Sequence, residues 1–575
     1  MKRLLPWGLL LGLSFHPAAQ GQTTPDSVQQ TPPSPTLSDL ILTNGDVLTL
    51  DERKPSAQAV AIKGARIVAV GRTKEILARW KSDSTEVVDL GGKTLIPGFI
   101  ESWGEMSRLG LQSVAAPLQS PPAGSVMDLA GLQRQLRDWA RGELATRFGW
   151  IIGYGFDHTQ LREQRPLSNK DLDAVSRDKP ILIVHASGQQ VVLNSKALEL
   201  AGITRDSQAP ANGQIGRWPG SREPDGVLEG SAAALVLGQL PNLPSAERLA
   251  MIEQGQTLYL RNGYTTTQEG RATPTDLELY RQAADNGVLR LDVVLNADQD
   301  SRPASAKPLG NPYYRNRVRL NGVSLALDGS VDDRSAWLSS AYQLPPPGKR
   351  AGFAGYQRVS DDALATLLGQ AASQGWSPAI LANGDAAIGQ ALGQLENTSP
   401  RPPRPMLVGA QTMTTEQLGR LANLGGSVAM APRALGPRAS AWTSSLLGAE
   451  RTQRTYPLAA ARDAKVPLML YTDPQEGEPA PLGAMAAALA RPVGPEQQIS
   501  ALDALKALTL VPARQIGEER NKGSIAPGKL ADLTLLSANP LYTPPAQLGS
   551  IKVLGVIKEG ETVYGSTGAP LPMPR

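Results

Sequence analysis

The chain has 575 residues, enough for one large domain and a smaller companion, and its 41% hydrophobic and 19% charged residues exclude a disordered or fibrous protein. The net charge is +4, two of those charges belong to Lys2 and Arg3, and no Lys/Arg block is concentrated anywhere, so the charge does not point to nucleic acid. Cysteine is absent, which removes disulfides, thiolate nucleophiles and Cys-bound zinc together, and histidine occurs only at His16, His158 and His185.

Lys2-Arg3 precedes an apolar run from Leu4 to Phe15, then small residues at Ala18, Ala19 and Gly21. That order predicts a signal peptide over 1–21 and a secreted or periplasmic protein. The run is too short to span a bilayer as a stop-transfer helix, and no Cys follows for a lipid anchor, so no integral membrane segment is expected once the leader is cleaved, while an uncleaved membrane anchor stays open. Residues 22–38, rich in Thr, Pro, Ser and Gln, read as a flexible linker.

From Asp39 the texture changes to short strands. Asn44-Gly45 between Leu40–Leu42 and Val47–Leu50 predicts a hairpin, and Lys63-Gly64 between Ala59–Ile62 and Ile67–Val70 predicts another. Residues 515–575 have the same β-rich texture, with runs at Ala531–Leu536, Ile551–Ile557 and Thr562–Tyr564. Between them, over 95–514, apolar strands alternate with helical patterns, which argues for parallel βα units. Candidate strands are Ile181–Val184, Thr265–Thr267, Leu291–Leu295, Val323–Leu327, Pro378–Leu381, Met406–Val408, Ser427–Met430 and Pro467–Tyr471. Amphipathic helices are signalled after Asp128, a plausible N-cap, and after Ser360, by a capping box of Thr414 with Gln417, and by Ser500 with Leu502, Leu505 and Leu508. The fold class is α/β, a TIM-like (β/α)8 barrel with insertions.

The central stretch is Lys93–Glu105, KTLIPGFIESWGE, an apolar run followed by a polar segment that a barrel strand would deliver to an active-site face. With Asn194-Ser195-Lys196-Ala197-Leu198, Pro224-Asp225-Gly226-Val227-Leu228, Leu327-Asp328-Gly329-Ser330, Asn383-Gly384-Asp385-Ala386-Ala387, Thr472-Asp473 and the Gly523–Asp532 segment, it resembles, in order and spacing, the YtcJ-like branch of the amidohydrolase superfamily, amidohydrolase family 3. The resemblance implies that the two chain ends, 39–94 and 515–575, pair into one small β-sandwich beside the barrel. It also implies hydrolysis of small-molecule C–N bonds at one or two divalent metals. The ligand positions are where this chain departs. The first-strand histidines of the family fall on Trp103 and Glu105, its lysine on Ser324, two later histidines on Leu381 and Gly409, and two more on Gln189 and Gln268, while Asp473 alone remains. A mature chain with two histidines and no cysteine cannot build a His-rich zinc centre, so no metal is expected.

Glu105 and Asp473 are the candidate catalytic pair, with Glu101 nearby. Two carboxylates in unlike environments can serve as acid and base, or can hold Ca²⁺ or Mg²⁺. Against this stands a plain structural reading, with Asp473 bonded to an arginine or amide and Glu105 solvated. Candidate ligand-binding residues are Trp103, Asp157, His158, Gln189, Gln268, Ser324, Asp328 and Asp385. His158 follows Gly155-Phe156-Asp157, similar to the G-W-D loop of the family, and is either a general base or a satisfied loop histidine. His185 ends a strand and either points into the mouth or packs. Asp328, Asp332, Asp333 and Arg334 read as a charged loop. Two functions stay open: a non-metal ligand-binding pseudoenzyme, or a hydrolase of non-peptide C–N bonds that uses carboxylate acid/base chemistry. The expected partner is a small-molecule ligand or substrate, and a homodimer stays open.

Overall fold

Eight parallel strands form the centre of the computed structural model, which describes residues 37–566 apart from 122–123, 159, 187, 189, 211–212, 231, 238–244, 300–313, 347–348 and 474–477. The expected leader, residues 22–36 of the expected linker, and Gln189 lie outside the described residues. In chain order the strands are β1 (Phe99–Gly104), β2 (Tyr264–Ala272), β3 (Asp292–Asp298), β4 (Val318–Ala326), β5 (Ser377–Ala382), β6 (Met406–Gly409), β7 (Ser427–Met430) and β8 (Leu468–Leu470), each hydrogen-bonded to the next. The seam between β8 and β1 carries no ladder. It is tied by side chains: the Ser102 hydroxyl donates to the Leu470 carbonyl at 3.4 Å, and the Thr472 amide donates to Glu101 Oε1 at 3.3 Å.

Helices surround the barrel, except that Leu129–Ala140 packs its Leu132 and Leu136 with Ile151, Phe156 and Ile183 outside it. Asp128, Ser360 and Ser500 accept from the backbone amides of Gly131, Ala363 and Asp503, and Thr414 with Gln417 completes a capping box. The apolar faces they present, such as Leu364, Leu368, Leu418, Leu421 and Leu505, join the outward-facing Val293, Leu295, Leu325, Ile380, Leu407 and Val428 of the strands in one core. Among the described residues no helix is long and apolar enough to cross a membrane.

Three sequence expectations need correction. Ile181–Val184 is not a barrel strand. It belongs to a six-stranded sheet inserted between β1 and β2, flanked by Ile151–Phe156 (parallel) and Gln190–Leu193 (antiparallel). Both faces of that strand are buried, Leu182 in one apolar cluster and Ile181 with Ile183 in another, so it reads as a continuous apolar run just as a barrel strand does. The Asn44-Gly45 turn does not close a hairpin. Asn44 takes a left-handed conformation (φ 52°), but Leu40–Thr43 pairs with Ala59–Lys63 in one sheet while Asp46–Leu48 pairs with Thr94–Pro97 in another, so the turn carries the chain between layers. The barrel begins at Phe99 rather than Leu95, because Thr94–Pro97 pairs with Leu533–Leu536 of the small domain.

The small domain does draw on both chain ends. Its six-stranded sheet combines Asp46–Leu48, Ser56–Ala57 and Thr94–Pro97 with Leu533–Leu536, Val553–Lys558 and Glu561–Gly565. A buried ionic knot fastens it to the barrel floor. Lys522 Nζ and Lys558 Nζ lie 2.6 and 2.7 Å from Asp292 Oδ2 at the start of β3, and Lys558 also reaches Asp532 at 2.9 Å.

Candidate active site

An apolar cluster lies inside the barrel around Trp103. Trp103, on β1, is only 5% exposed and packs with Ala379, Met406, Val408, Ala429, Met469 and Tyr471, with Leu381 against the same cluster. Gly409, at the end of β6, has φ +83°, and a Cβ there would stand 2.2 Å from Asn383 Oδ1. Asn383 is itself fixed by donating from Nδ2 to the Gly329 carbonyl at 2.9 Å. No side chain longer than hydrogen therefore fits at 409 while Asn383 stays in place. Ser324 is buried on β4 with no hydrogen-bond partner for its hydroxyl among the described residues. Gln268 is buried in a chain of amides: its Nε2 donates to Gln515, its Oε1 accepts from Asn296, and Asn296 accepts from Asn321.

At the mouth, the residue missing from the sequence reading is Arg108. It lies one turn along the helix Met106–Val114 from Glu105, whose Oε2 is 2.6 Å from Arg108 Nε. The contact is one of charge rather than alignment, since neither Nε nor Nη2 directs a hydrogen at an acceptor among the described residues. Burial weakens the guanidinium charge, but Glu105, Tyr154, Asp473 and Glu269 more than offset it and raise its pKa. Glu105 is thus paired with Arg108 rather than solvated, and Asp473 lies within electrostatic reach of the same cation. The helix is held for this by a close crossing: Cβ atoms at Gly110 and Gly255 would fall 2.2 and 2.5 Å from the carbonyl oxygens of Met251 and Met106, so it lies backbone to backbone against Ser245–Arg261.

Two further buried carboxyls border this group. Glu101 accepts from Tyr264 at 2.9 Å and from the Thr472 hydroxyl, and burial pushes its pKa up to about 7. Glu269, the residue after Gln268 on β2, accepts from the Ser107 amide (3.3 Å), the Ser107 hydroxyl (3.0 Å) and the Tyr280 phenol. Burial and then the charge of Asp276 push it up to about 8. Its sequence signal was an acid next to Gln268, at the end of a strand.

A raised carboxyl binds its proton more tightly folded than unfolded. Glu269 therefore contributes stability in its neutral form, and that contribution is lost as pH rises from the ordinary glutamate value of 4.5 towards about 8. Glu101 works in the same direction up to about 7. The expected result is a melting temperature that falls between pH 5 and 8.5. Glu269→Gln should flatten that slope and leave the protein more stable than wild type at pH 8.5 by about 1–3 kcal/mol. A glutamine fits the bonding: its oxygen can accept from Tyr280 and the Ser107 amide while its NH₂ faces the Ser107 hydroxyl.

The other candidates lie on loops above the strand ends. Both Asp328 oxygens are taken by backbone amides, of Asn383 and Gly384 at 2.9 and 2.7 Å and of Trp337 at 2.9 Å, and burial pushes its pKa up to about 7. Asp385, in the first turn of the helix Asp385–Asn397, accepts from the Ser339 amide and hydroxyl. These two carboxylates organise the loops after β4 and β5. In the charged loop, Arg334 lies 5.0 Å over the Trp442 ring, and Asp332 accepts from Thr443. Asp157, His158 and His185 come together at the ends of two neighbouring strands of the inserted sheet, with one ligand-type atom from each within 4.8 Å of the others. The turn that follows His185 reaches the mouth, where a Cβ on Gly188 would be 3.1 Å from Arg108 Nη1.

The model of the amidohydrolase family matches residues 86–564, spanning the barrel, the inserted sheet and most of the small domain. The chain belongs to the amidohydrolase family. It is 27% identical over 554 residues to the N-substituted formamide deformylase of Arthrobacter pascens, covering 93% of this chain and 99% of that protein. It is 24% identical over 541 residues to the putative amidohydrolase YtcJ of Bacillus subtilis (strain 168), covering 90% and 98%. A solved structure of an uncharacterized metal-dependent hydrolase from Pyrococcus horikoshii OT3 matches with a TM-score of 0.73 at 23% identity, over 88% of this chain and 99% of that one, which establishes the shared fold. For this amidohydrolase, a metal beside Trp103 would meet an indole, two thioethers and hydrocarbon, which do not suit the nitrogen- and oxygen-preferring divalent ions, and the buried oxygens of Glu101, Gln268 and Ser324 on β1, β2 and β4 include no imidazole.

Proposed function

We propose that this amidohydrolase is an exported ligand-binding member of its family that holds no metal at the barrel centre and does not turn its ligand over. One observation carries the reading: Trp103 and its apolar neighbours fill the place where the family's ligands converge, and Gly409 leaves no room for an imidazole beside Asn383. Without imidazoles or a lysine at the positions where the family holds its metal, the barrel has lost the donors that would hold an ion able to polarise an amide carbonyl or to lower the pKa of a water. The binding surface that remains is the charged mouth around Arg108 and its carboxyl neighbours, which suits a small polar molecule.

The test is a panel of N-substituted formamides and linear and cyclic amides, incubated with the protein with and without added Zn²⁺ or Mn²⁺. No turnover is expected in either condition, while at least one compound should raise the melting temperature without being consumed. Turnover that appears with metal and persists in a variant lacking His158 and His185 would refute the reading.

A second reading has its own observation. Glu269, whose pKa burial pushes up to about 8, lies within electrostatic reach of Glu105, and carboxyls in unlike environments are the pairing that acid/base catalysis uses. Metal-independent turnover, abolished in both Glu269→Gln and Asp473→Asn, would select hydrolysis of a C–N bond by these carboxyls instead.

A further inference from the structure

We infer that Asp157, His158 and His185 form a binding site for a divalent transition metal of the zinc class, outside the barrel centre and on the inserted sheet. Both histidines of residues 37–566 are spent here, although nothing in their sequence spacing brings them together. The topology does so. Ile151–Phe156 and Ile181–His185 run parallel, and the register between them shifts after Tyr154 so that Phe156 pairs with His185. Gly155 takes φ +90° at the shift, and the Ala186 amide donates to the Phe156 carbonyl at 2.9 Å. Asp157 and His158 are therefore delivered beside the last residue of the neighbouring strand.

The spacing is that of ligands rather than of a packed pair. His185 Nε2 is 3.6 Å from Asp157 Oδ1, long for a hydrogen bond but close to the edge of about 3.4 Å between ligands of a tetrahedral zinc with bonds of about 2.0–2.2 Å. The two imidazoles do not stack: their centroids are 5.7 Å apart with the planes at 50°. His158 Nδ1 is buried without a hydrogen-bond partner among the described residues, a cost that a coordinate bond would remove.

The surroundings orient the donors. Gln160 Nε2 donates to Asp157 Oδ2 at 2.8 Å, which leaves Oδ1 turned to His185, and Phe156 holds the His185 ring edge-on at 5.2 Å. Glu229, itself bonded by Gln190, adds negative charge near His158. Two imidazoles and one carboxylate suit zinc and its neighbours rather than calcium or magnesium, and three protein donors leave one tetrahedral position open.

The test uses the full-length protein, stripped with chelator and titrated with Zn²⁺ alone by calorimetry, and with Co²⁺ read by its visible absorption. One equivalent is expected, with the intense bands of a tetrahedral cobalt site. His158→Ala and His185→Ala should each weaken binding on the order of 100-fold or more, while Asp473→Asn leaves it unchanged. His158→Gln, which keeps the bulk of the side chain, guards against a folding defect, and far-UV circular dichroism and thermal unfolding of the metal-free variants check that they remain folded. Wild-type protein that binds no Zn²⁺, or binding that survives both histidine substitutions, overturns the inference. Binding that survives them but is lost in Asp473→Asn overturns it and places the metal at the barrel centre, against the proposed function as well.

Discussion

Lys558→Met is expected to lower the unfolding free energy by about 3–5 kcal/mol, because it removes one partner of a buried ion group and leaves the others in place. Lys558 is fully buried, with Asp292, Asp532 and Glu559 at 2.7, 2.9 and 3.0 Å. Burial alone would raise the pKa of Asp292, but Lys522 and Lys558 override it and hold the carboxyl well below the usual range. Burial likewise opposes the charge of Lys522, and Asp292 overrides that and raises its pKa. The signs agree: the aspartate contribution is complete above its ordinary value of 3.8 and is lost as pH falls, and the lysine contribution is complete below 10.5 and is lost as pH rises. The knot therefore holds across the neutral range. Denaturant unfolding of Lys558→Met at pH 7 measures the loss. Lys63→Met, which removes a largely exposed pair with Asp39, is the control and should move the midpoint hardly at all.

Gly409→His should also be costly, by about 2–4 kcal/mol, and should not by itself create a metal site. It would place a β-carbon on a backbone with φ +83° and against the Asn383 side chain. Asn383 cannot swing away without releasing Gly329. If steric conflict with Asn383 is the larger part of the cost, Gly409→His combined with Asn383→Ala should recover about half of it, less what the lost Gly329 bond takes back. A double variant no more stable than Gly409→His alone would assign the cost to the backbone instead. Thermal unfolding of the three variants separates the outcomes. The comparison bears on history as well as stability, since it asks whether the protein around position 409 has adapted to the glycine.

What could be read from the sequence divides along local and non-local lines. Helix caps at Asp128, Ser360 and Thr414 depend on a few neighbouring residues and stood in plain view. Seven of the eight barrel strands were seen as candidate strands, and β1 was seen through its motif. The inserted strand Ile181–His185 was misplaced because burial on both faces erases the alternation that distinguishes one sheet from another. The Asn44-Gly45 turn was misread because a left-handed residue fixes a change of direction, not the partner of the strand that follows. In the site, Glu105 was visible through the motif, whereas Arg108 was overlooked although its spacing of three on a helix was available. Tyr154 and Glu269 come from the inserted sheet and β2, and only the folded chain sets them beside Arg108. The meeting of His158 with His185 depends on a register shift that no local pattern announces.

Strand Thr94–Pro97 cannot find its neighbour Leu533–Leu536 until more than 400 further residues have left the ribosome. At synthesis rates of about 5–20 residues per second that is a wait of roughly 20–90 seconds. During it, the first part of the sandwich presents unsatisfied backbone edges and the barrel floor lacks Lys558. Completion of this architecture thus waits on a strand made long after its neighbour, and the first part of the sandwich cannot close before that strand arrives.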